Sequence, residues 1–304
     1  MGTHDSLVQS IITAHQDLAL PGVARAVANT RNTAVFSSDA PVYRAAKQAC
    51  LALGFIEVDA ECVANAWKAM SERTGHFDVN VWPDQAEDFG MRPWPRHDAF
   101  ATCPRKLGLY AVLPDATWVA RMARAGVPTV QLRFKSGDAR AIEQEVRAAV
   151  EAVQGTDALL FINDHWQAAI DAGAYGVHLG QEDMDVADLQ TIRTAGLRLG
   201  LSSHGYAEML RADRFSPSYI AMGAVFPTTL KRMVTAPQGT GRLHAYARLM
   251  RDYSLVAIGG IDGGRLQEVM SSGVGSVAVV RALVAAEKPE EMAASLQALI
   301  NART

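Results

Sequence analysis

Asp164 and Asp183 each close an apolar run, ALLFIND at 158–164 and GVHLGQED at 176–183, and each stands near an amide, Asn163 or Gln181. Two acids flanked by amides suit Mg2+, which takes few protein carboxylates and keeps water and phosphate oxygens in its shell. Upstream, in TVQLRFK, the residues Gln131, Arg133 and Lys135 alternate, so a strand would turn all three to one side. Two cations and an amide in that position can hold a diphosphate bridged by the metal. Downstream, Ser202, Ser203 and His204 end RLGLSSH, and Thr228, Thr229 and Lys231 follow YIAMGAVFP. Gly259 and Gly260 close LVAIGG, and Val280 and Arg281 follow SVAV. In a barrel enzyme the loops after the last two strands commonly bind phosphate through backbone amides. The chain therefore offers two anion sites, one metal-assisted and one built from backbone, as two phosphorylated substrates would need.

Those residues share a purpose only if one architecture brings them to one rim. From residue 107 onward, short apolar runs recur: LGLYAVL, TVQLRF, ALLFIND, GVHLG, RLGLSS, YIAMGAVF, LVAIGGI and SVAVVRAL. Segments of helical period, such as ARAIEQEVRAAVEAV and EEMAASLQALINA, separate or follow them. Continuous rather than alternating hydrophobicity marks strands buried on both faces, as in parallel sheets. Eight such strand–helix units in residues 106–304 predict an α/β fold, a TIM (β/α)8 barrel, with an open doubly wound sheet as the rival. In a barrel, the residues just past each strand form the active face.

Residues 1–73 read as a mostly helical extension (VYRAAKQACLALG, DAECVANAWKAM), with TAVFSS and FIEVDA as short strands. Residues 74–105, rich in Pro and Trp and without a clear period, read as a linker laid along the barrel by Trp82 and Trp94. These first 105 residues carry no chemical motif; a remnant of a fused neighbour or a structural brace is the expectation for them.

Composition narrows the classes. Of 304 residues, 49% are hydrophobic and 20% charged, which supports a large core and argues against extensive disorder. A net charge of −3 argues against a nucleic-acid surface, although a local cation cluster can still bind a small anion. Cys50, Cys62 and Cys103 form no CxxC pair, which points to a reducing, cytoplasmic setting. The N-terminal stretch lacks a secretory pattern, and no apolar run approaches the roughly 20 residues that span a bilayer. A homo-oligomer is left open.

Each candidate also has a plain alternative. Asp164 and Asp183 could cap the helices that follow. Ser202, Thr228 and Thr229 could be ordinary loop residues. His178, inside an apolar strand, is expected to be a satisfied core histidine, and Gly259–Gly260 could serve tight packing alone. Polar residues crowding the ends of six successive strands is more than independent capping predicts.

VQLRFK, FIND, GVHLGQED, LGLSSH, GAVFPTTLK with APQG, AIGGI and VAVVRAL occur in an order and spacing that resembles thiamine-phosphate synthases, over about residues 106–290. Members of that family are TIM barrels that join hydroxymethylpyrimidine diphosphate to a thiazole phosphate with Mg2+, releasing pyrophosphate. The resemblance implies that Asp164 and Asp183 bind Mg2+ and that Arg133, Lys135, Asn163, Ser202 and Lys231 hold the diphosphate. Within that set Arg133, Lys135, Ser202 and Lys231 would be catalytic. It further implies that Gln131 contacts the pyrimidine, Thr228 the thiazole, and Gly260, Val280 and Arg281 the thiazole phosphate. Such a reaction ionises first and needs no protein nucleophile, which accords with the lack of a Ser–His–Asp or reactive-cysteine pattern. The chain departs from the family pattern at Phe134, where Asp or Glu is usual, at Leu230, where a second Thr is usual, and at Arg281, where Ser is usual. Arg281 is expected to compensate for Leu230 by pairing with the thiazole phosphate. The rivals are a thiazole tautomerase using His204, a ligand-binding protein without turnover, and an unrelated phosphate-binding barrel isomerase.

Overall fold

The computed structural model describes residues 3–20, 35–228 and 235–302. The eight apolar runs form eight strands: β1 (Gly108–Leu113), β2 (Thr129–Leu132), β3 (Leu159–Asn163), β4 (Gly176–Leu179), β5 (Arg198–Ser203), β6 (Tyr219–Met222), β7 (Ser254–Ile258) and β8 (Ser276–Val279). They pair in parallel and in chain order, and β1 also pairs with β8, with Gly108 beside Ser276, so the sheet closes into a barrel. Closure removes any free edge, and helices cover the outside, so both faces of each strand are buried.

Two cores follow from that closure. Inside the barrel, Leu107, Tyr110, Val112, Phe161, Tyr219, Ala221, Val256 and Ala278 pack together. The alternate positions, among them Ala111, Val130, Ile162, Val177 and Leu199, face outward into a larger core under the helices. Those helices are α4 (Ala116–Arg124), α5 (Ala139–Ala152), α6 (Trp166–Ala172), α7 (Leu189–Thr194), α8 (Tyr206–Asp213), α9 (Gly239–Leu249), α10 (Leu266–Met270), α11 (Arg281–Val284) and α12 (Pro289–Asn301) when numbered after three N-terminal ones. Side-chain caps start several of them: Asp115 accepts from Trp118 N at 2.8 Å, Asp138 from Arg140 N at 2.9 Å and Asp188 from Thr191 N at 3.0 Å.

The N-terminal helices are α1 (Thr3–Ala14), α2 (Pro41–Ala52) and α3 (Glu57–Thr74). FIEVDA is not a strand: α3 begins at Glu57. Its buried residues Ala60, Val63, Ala64 and Trp67 fall at helical spacing, whereas Ile56 and Val58, which the strand reading would bury, are 47% and 54% exposed. TAVFSS lies partly outside the described residues, and its described part, 35–38, forms no strand.

The Pro/Trp-rich segment carries one short 3-10 turn, Ala86–Phe89, and lies against both bodies. Trp82 stacks on Phe55 at 5.7 Å, meets Trp67 edge-on at 5.1 Å and donates its Nε1–H to Tyr206 Oη at 2.8 Å. Trp94 meets Tyr253 edge-on at 5.3 Å. Arg96 is 8% exposed and forms an ion pair with Asp213 at 2.7 Å. One hydrophobic core thus runs from α1–α3 through this segment to the barrel helices. Among the described residues, no helix is long and apolar enough to cross a membrane. All three cysteines are free.

Candidate active site

The C-terminal ends of the strands surround a cavity of about 940 Å³, of the size that holds small-molecule substrates. Gln131, Arg133, Lys135, Asn163, Asp164, Asp183, Ser202, Thr228, Gly260, Val280 and Arg281 all line it, together with Ser203, His204 and Gly259. Gln181 stands behind the wall and donates to Ser202 O at 2.7 Å. Thr229, Leu230 and Lys231 lie outside the described residues.

Asp164 follows β3 with φ of 65°, a left-handed conformation uncommon for a residue other than glycine. Its N–H donates to His178 O at 3.0 Å, which pins the turn to β4. Burial at the cavity wall, and next the negative charge of Asp183 with a direct hydrogen bond to it, raise the Asp164 carboxyl above the usual range. The two acids therefore meet. Neither caps a following α-helix: α6 starts at His165 without a side-chain cap, and α7 is capped by Asp188. Asp183 Oδ2 accepts one backbone bond, from Gly180 N at 2.9 Å. No protein cation among the described residues is bonded between these two crowded carboxyls, and together they form an acceptor set for one. Among the described residues no group of three or more His, Cys, Asp or Glu is placed to hold a metal. A pair of carboxylates still fits Mg2+, whose other ligands are water and phosphate oxygen, and does not fit a closed zinc site.

A hydrogen-bond chain crosses the barrel beneath these acids, and counting protons gives it a direction. Tyr110 Oη donates to Gln131 Oε1 at 2.9 Å, and Gln131 Nε2 donates to Asn163 Oδ1 at 2.8 Å. Tyr110 has then used its one proton, so in the 2.7 Å contact with Tyr219 the donor is Tyr219. Tyr219 has in turn used its own, so His178 Nδ1–H donates to it at 2.7 Å. His178 Nε2 meets Ser202 Oγ at 2.8 Å. Asn163 has its oxygen engaged, and what remains for a ligand is its NH2, a donor suited to an anion. His178 is satisfied, as expected of a core histidine, yet it also lines the cavity. Tyr110 and Tyr219, fully buried, line the cavity at its base and were not singled out by sequence reasoning, because an aromatic ring inside an apolar strand looks like packing.

The opposite end of the cavity differs in character. Gly260 has φ of 65°, and a Cβ there would lie 2.6 Å from Pro227 O, so backbone approaches backbone at the ends of β6 and β7. Val280 and Arg281 begin α11 just past β8. Arg265, also missed, adds a second cation: it donates to Gly260 O at 2.6 Å and lies 4.6 Å over the Phe226 ring. His204 is held by Glu208, with Nδ1 and Oε2 at 2.6 Å, and Phe134 turns its ring into the core while its carbonyl meets His165 Nε2 at 3.0 Å.

Comparison with known proteins gives the family of the chain. A sequence model described as thiamine monophosphate synthase matches residues 109–283, more than half of the chain. The chain belongs to the thiamine monophosphate synthase family. Thiamine-phosphate synthase of Neisseria meningitidis serogroup A / serotype 4A is 54% identical over 193 residues, 64% of this chain and 94% of its own. That of Serratia proteamaculans is 50% identical over 200 residues, 66% of this chain and 93% of its own. The structure of thiamine phosphate pyrophosphorylase from Pyrococcus furiosus superposes with a TM-score of 0.58 at 26% identity, covering 65% of this chain and 98% of that one. Nearly the whole of each relative is thus accounted for by about two thirds of this chain. The thiamine monophosphate synthase match leaves the N-terminal helices and the Pro/Trp-rich segment outside its bounds.

Proposed function

We propose that this chain joins hydroxymethylpyrimidine diphosphate to a thiazole phosphate, forming thiamine monophosphate and releasing pyrophosphate. The observation that carries this reading is the meeting of Asp164 with Asp183 in one cavity with Arg133 and Lys135, across from the Gly260–Arg281 corner. Asp164 and Asp183 would hold Mg2+, which when bound supplies charge neutralisation for the departing pyrophosphate. Arg133, Lys135, the Asn163 amide and Ser202 would bind the diphosphate oxygens, together with Lys231. These donors stabilise charge on the leaving group as the C–O bond breaks, leaving a pyrimidine cation that the thiazole nitrogen traps. Gln131, fixed by Tyr110 and Asn163, would orient the pyrimidine, and Thr228 the thiazole. Three free thiols support a reducing cytoplasm as its location.

The test is direct. Purified protein with both substrates and Mg2+ is expected to produce thiamine monophosphate and pyrophosphate in equal amounts, with none formed when either substrate is withheld. Binding of both substrates without product would instead favour a silent binding protein.

The thiazole-phosphate end gives a separate prediction. Arg281 lines the cavity beside Gly260, where a guanidinium can pair with phosphate. Arg281→Ala is expected to raise the KM for thiazole phosphate about threefold to tenfold, the worth of one partly exposed charge-assisted contact, with little change in the KM for the diphosphate. An unchanged thiazole-phosphate KM would remove Arg281 from that role.

A further inference from the structure

The N-terminal helices meet the barrel at α8 and α9, the helices that follow β5 and β6. They therefore stand behind the end of β5, which carries Ser202 and Ser203, and behind the turn at His204 and Gly205 that leads into α8. On the α9 side, Arg242 is 2% exposed and donates to Leu18 O at 2.9 Å and to Leu53 O at 3.1 Å, with its guanidinium 3.7 Å from the Phe55 ring centre. On the α8 side the contact is more specific. The helix starts from Gly205, which has no side chain with which to cap it. Asp59, in the first turn of α3 and 4% exposed, takes that place: its Oδ1 accepts from Ala207 N at 2.8 Å. The fit depends on glycine, because a Cβ at residue 205 would lie 2.1 Å from Asp59 Oδ2.

The same turn is tied from two other directions. Ser203 Oγ donates to Ala221 O at 3.0 Å, and Glu208 Oε2 accepts from His204 N at 2.9 Å. Ser202 lies in β5, one residue before Ser203. Asp59 lies outside the matched residues 109–283, so this third tie comes from a part of the chain that the family match does not include.

We propose that the N-terminal segment is a positioning module for the diphosphate end of the site, with Asp59 as the positioning residue through which it acts. The proposal rests on the reading of Ser202 as a diphosphate ligand. Without Asp59, first-turn N–H groups of α8 lose their acceptor in a buried place, and the turn must shift to recover one. Donors aimed at an anion lose their value with small displacements, so the shift is read as weaker anion binding.

The test uses the full chain carrying Asp59→Ala or Asp59→Asn. It measures the dissociation constant of pyrophosphate with Mg2+ by calorimetry, the KM of each substrate, and the melting temperature. In Asp59→Ala the pyrophosphate dissociation constant and the KM for the pyrimidine diphosphate are expected to rise about tenfold, while the KM for thiazole phosphate holds. Asp59→Asn keeps an acceptor oxygen and loses the charge facing the helix dipole, so a rise of about threefold is expected. A merely structural brace would lower the melting temperature and leave pyrophosphate affinity and both KM values alone; that result overturns the proposal. Should Asp59→Ala fail to fold, Asp59→Asn decides alone, and unchanged pyrophosphate affinity in it is again fatal. If the unsubstituted protein makes no thiamine monophosphate, the functional reading fails, whereas the calorimetric comparison still reports on the tie from Asp59.

Discussion

Asp183→Asn is expected to cut turnover by about 10³-fold while leaving the melting temperature nearly unchanged. The amide has the volume of the carboxylate and keeps an oxygen for the bond from Gly180 N, so the local structure loses little. What it removes is half of the negative charge that would hold Mg2+, and with it the neutralisation of the departing pyrophosphate, worth several kcal/mol. The substitution also relieves Asp164, whose carboxyl is raised first by burial and then by the charge and hydrogen bond of Asp183. A structural role predicts the reverse pattern: the loss of a cap costs about 1 kcal/mol of stability and spares turnover. The check is kcat at saturating substrates and Mg2+, together with a thermal melt. A kcat within tenfold of the unsubstituted protein would remove Asp183 from the metal site.

The pH dependence carries the same logic with a definite sign. A carboxyl raised in the folded protein favours the protonated form there, so its contribution to stability is present below its unfolded value and lost as pH rises through the folded one. Without metal, the two facing acids therefore weaken the fold on the neutral side. A bound cation offsets that repulsion, so the gain in melting temperature on adding Mg2+ should be largest near neutrality and shrink as acid protonates Asp164.

The barrel was legible because burial on both faces leaves an uninterrupted apolar run, and eight such runs with helices between them admit few closed arrangements. The rim was legible for the same reason: once the strands are placed, topology puts Arg133, Asp164, Asp183, Ser202 and Arg281 at one end without knowledge of any contact. Tyr110 and Tyr219 stayed hidden, since one-dimensional pattern cannot separate a ring that fills the barrel from one that also orients Gln131 and His178 through its hydroxyl. FIEVDA misled for a related reason. Strand reasoning assigns Ile56 and Val58 to a core and Asp59 to solvent, and the structure inverts both, because the acceptor demand of α8 recruits Asp59 from far along the chain. Long-range capping of this kind has no local signature. The Pro/Trp-rich segment shows part of the same limit: its lack of a period reads as a linker laid along the barrel by Trp82 and Trp94, whereas the Arg96–Asp213 pair that also binds it tightly to the barrel leaves no pattern in the sequence.

That tight binding gives the second large effect. Arg96→Met is expected to destabilise the protein by about 3–5 kcal/mol, the range for breaking one side of a buried ion pair. Arg96 and Asp213 have side chains only 2% and 4% exposed, and they meet at 2.7 Å. Arg96 Nη1 also donates to Asp213 O at 2.8 Å and Tyr253 Oη at 2.9 Å, and its guanidinium lies 4.8 Å from the Trp94 ring centre. Methionine fills much of the volume but leaves the Asp213 carboxylate buried with Tyr253 Oη as its remaining side-chain donor, at 2.8 Å. The loss comes from that stranded charge rather than from any large intrinsic worth of the pair. The double substitution Arg96→Met with Asp213→Leu should therefore recover a large part of it. Because Asp213 ends α8, the damage is felt at the far end of the helix that Asp59 caps, yet the cavity contains neither residue of the pair. At temperatures where the variant is folded, both KM values should accordingly match those of the unsubstituted protein. Thermal melts of the single and double variants measure the effect, and a fall in melting temperature below about 2 °C for Arg96→Met would mean that the pair does not hold the segment to the barrel.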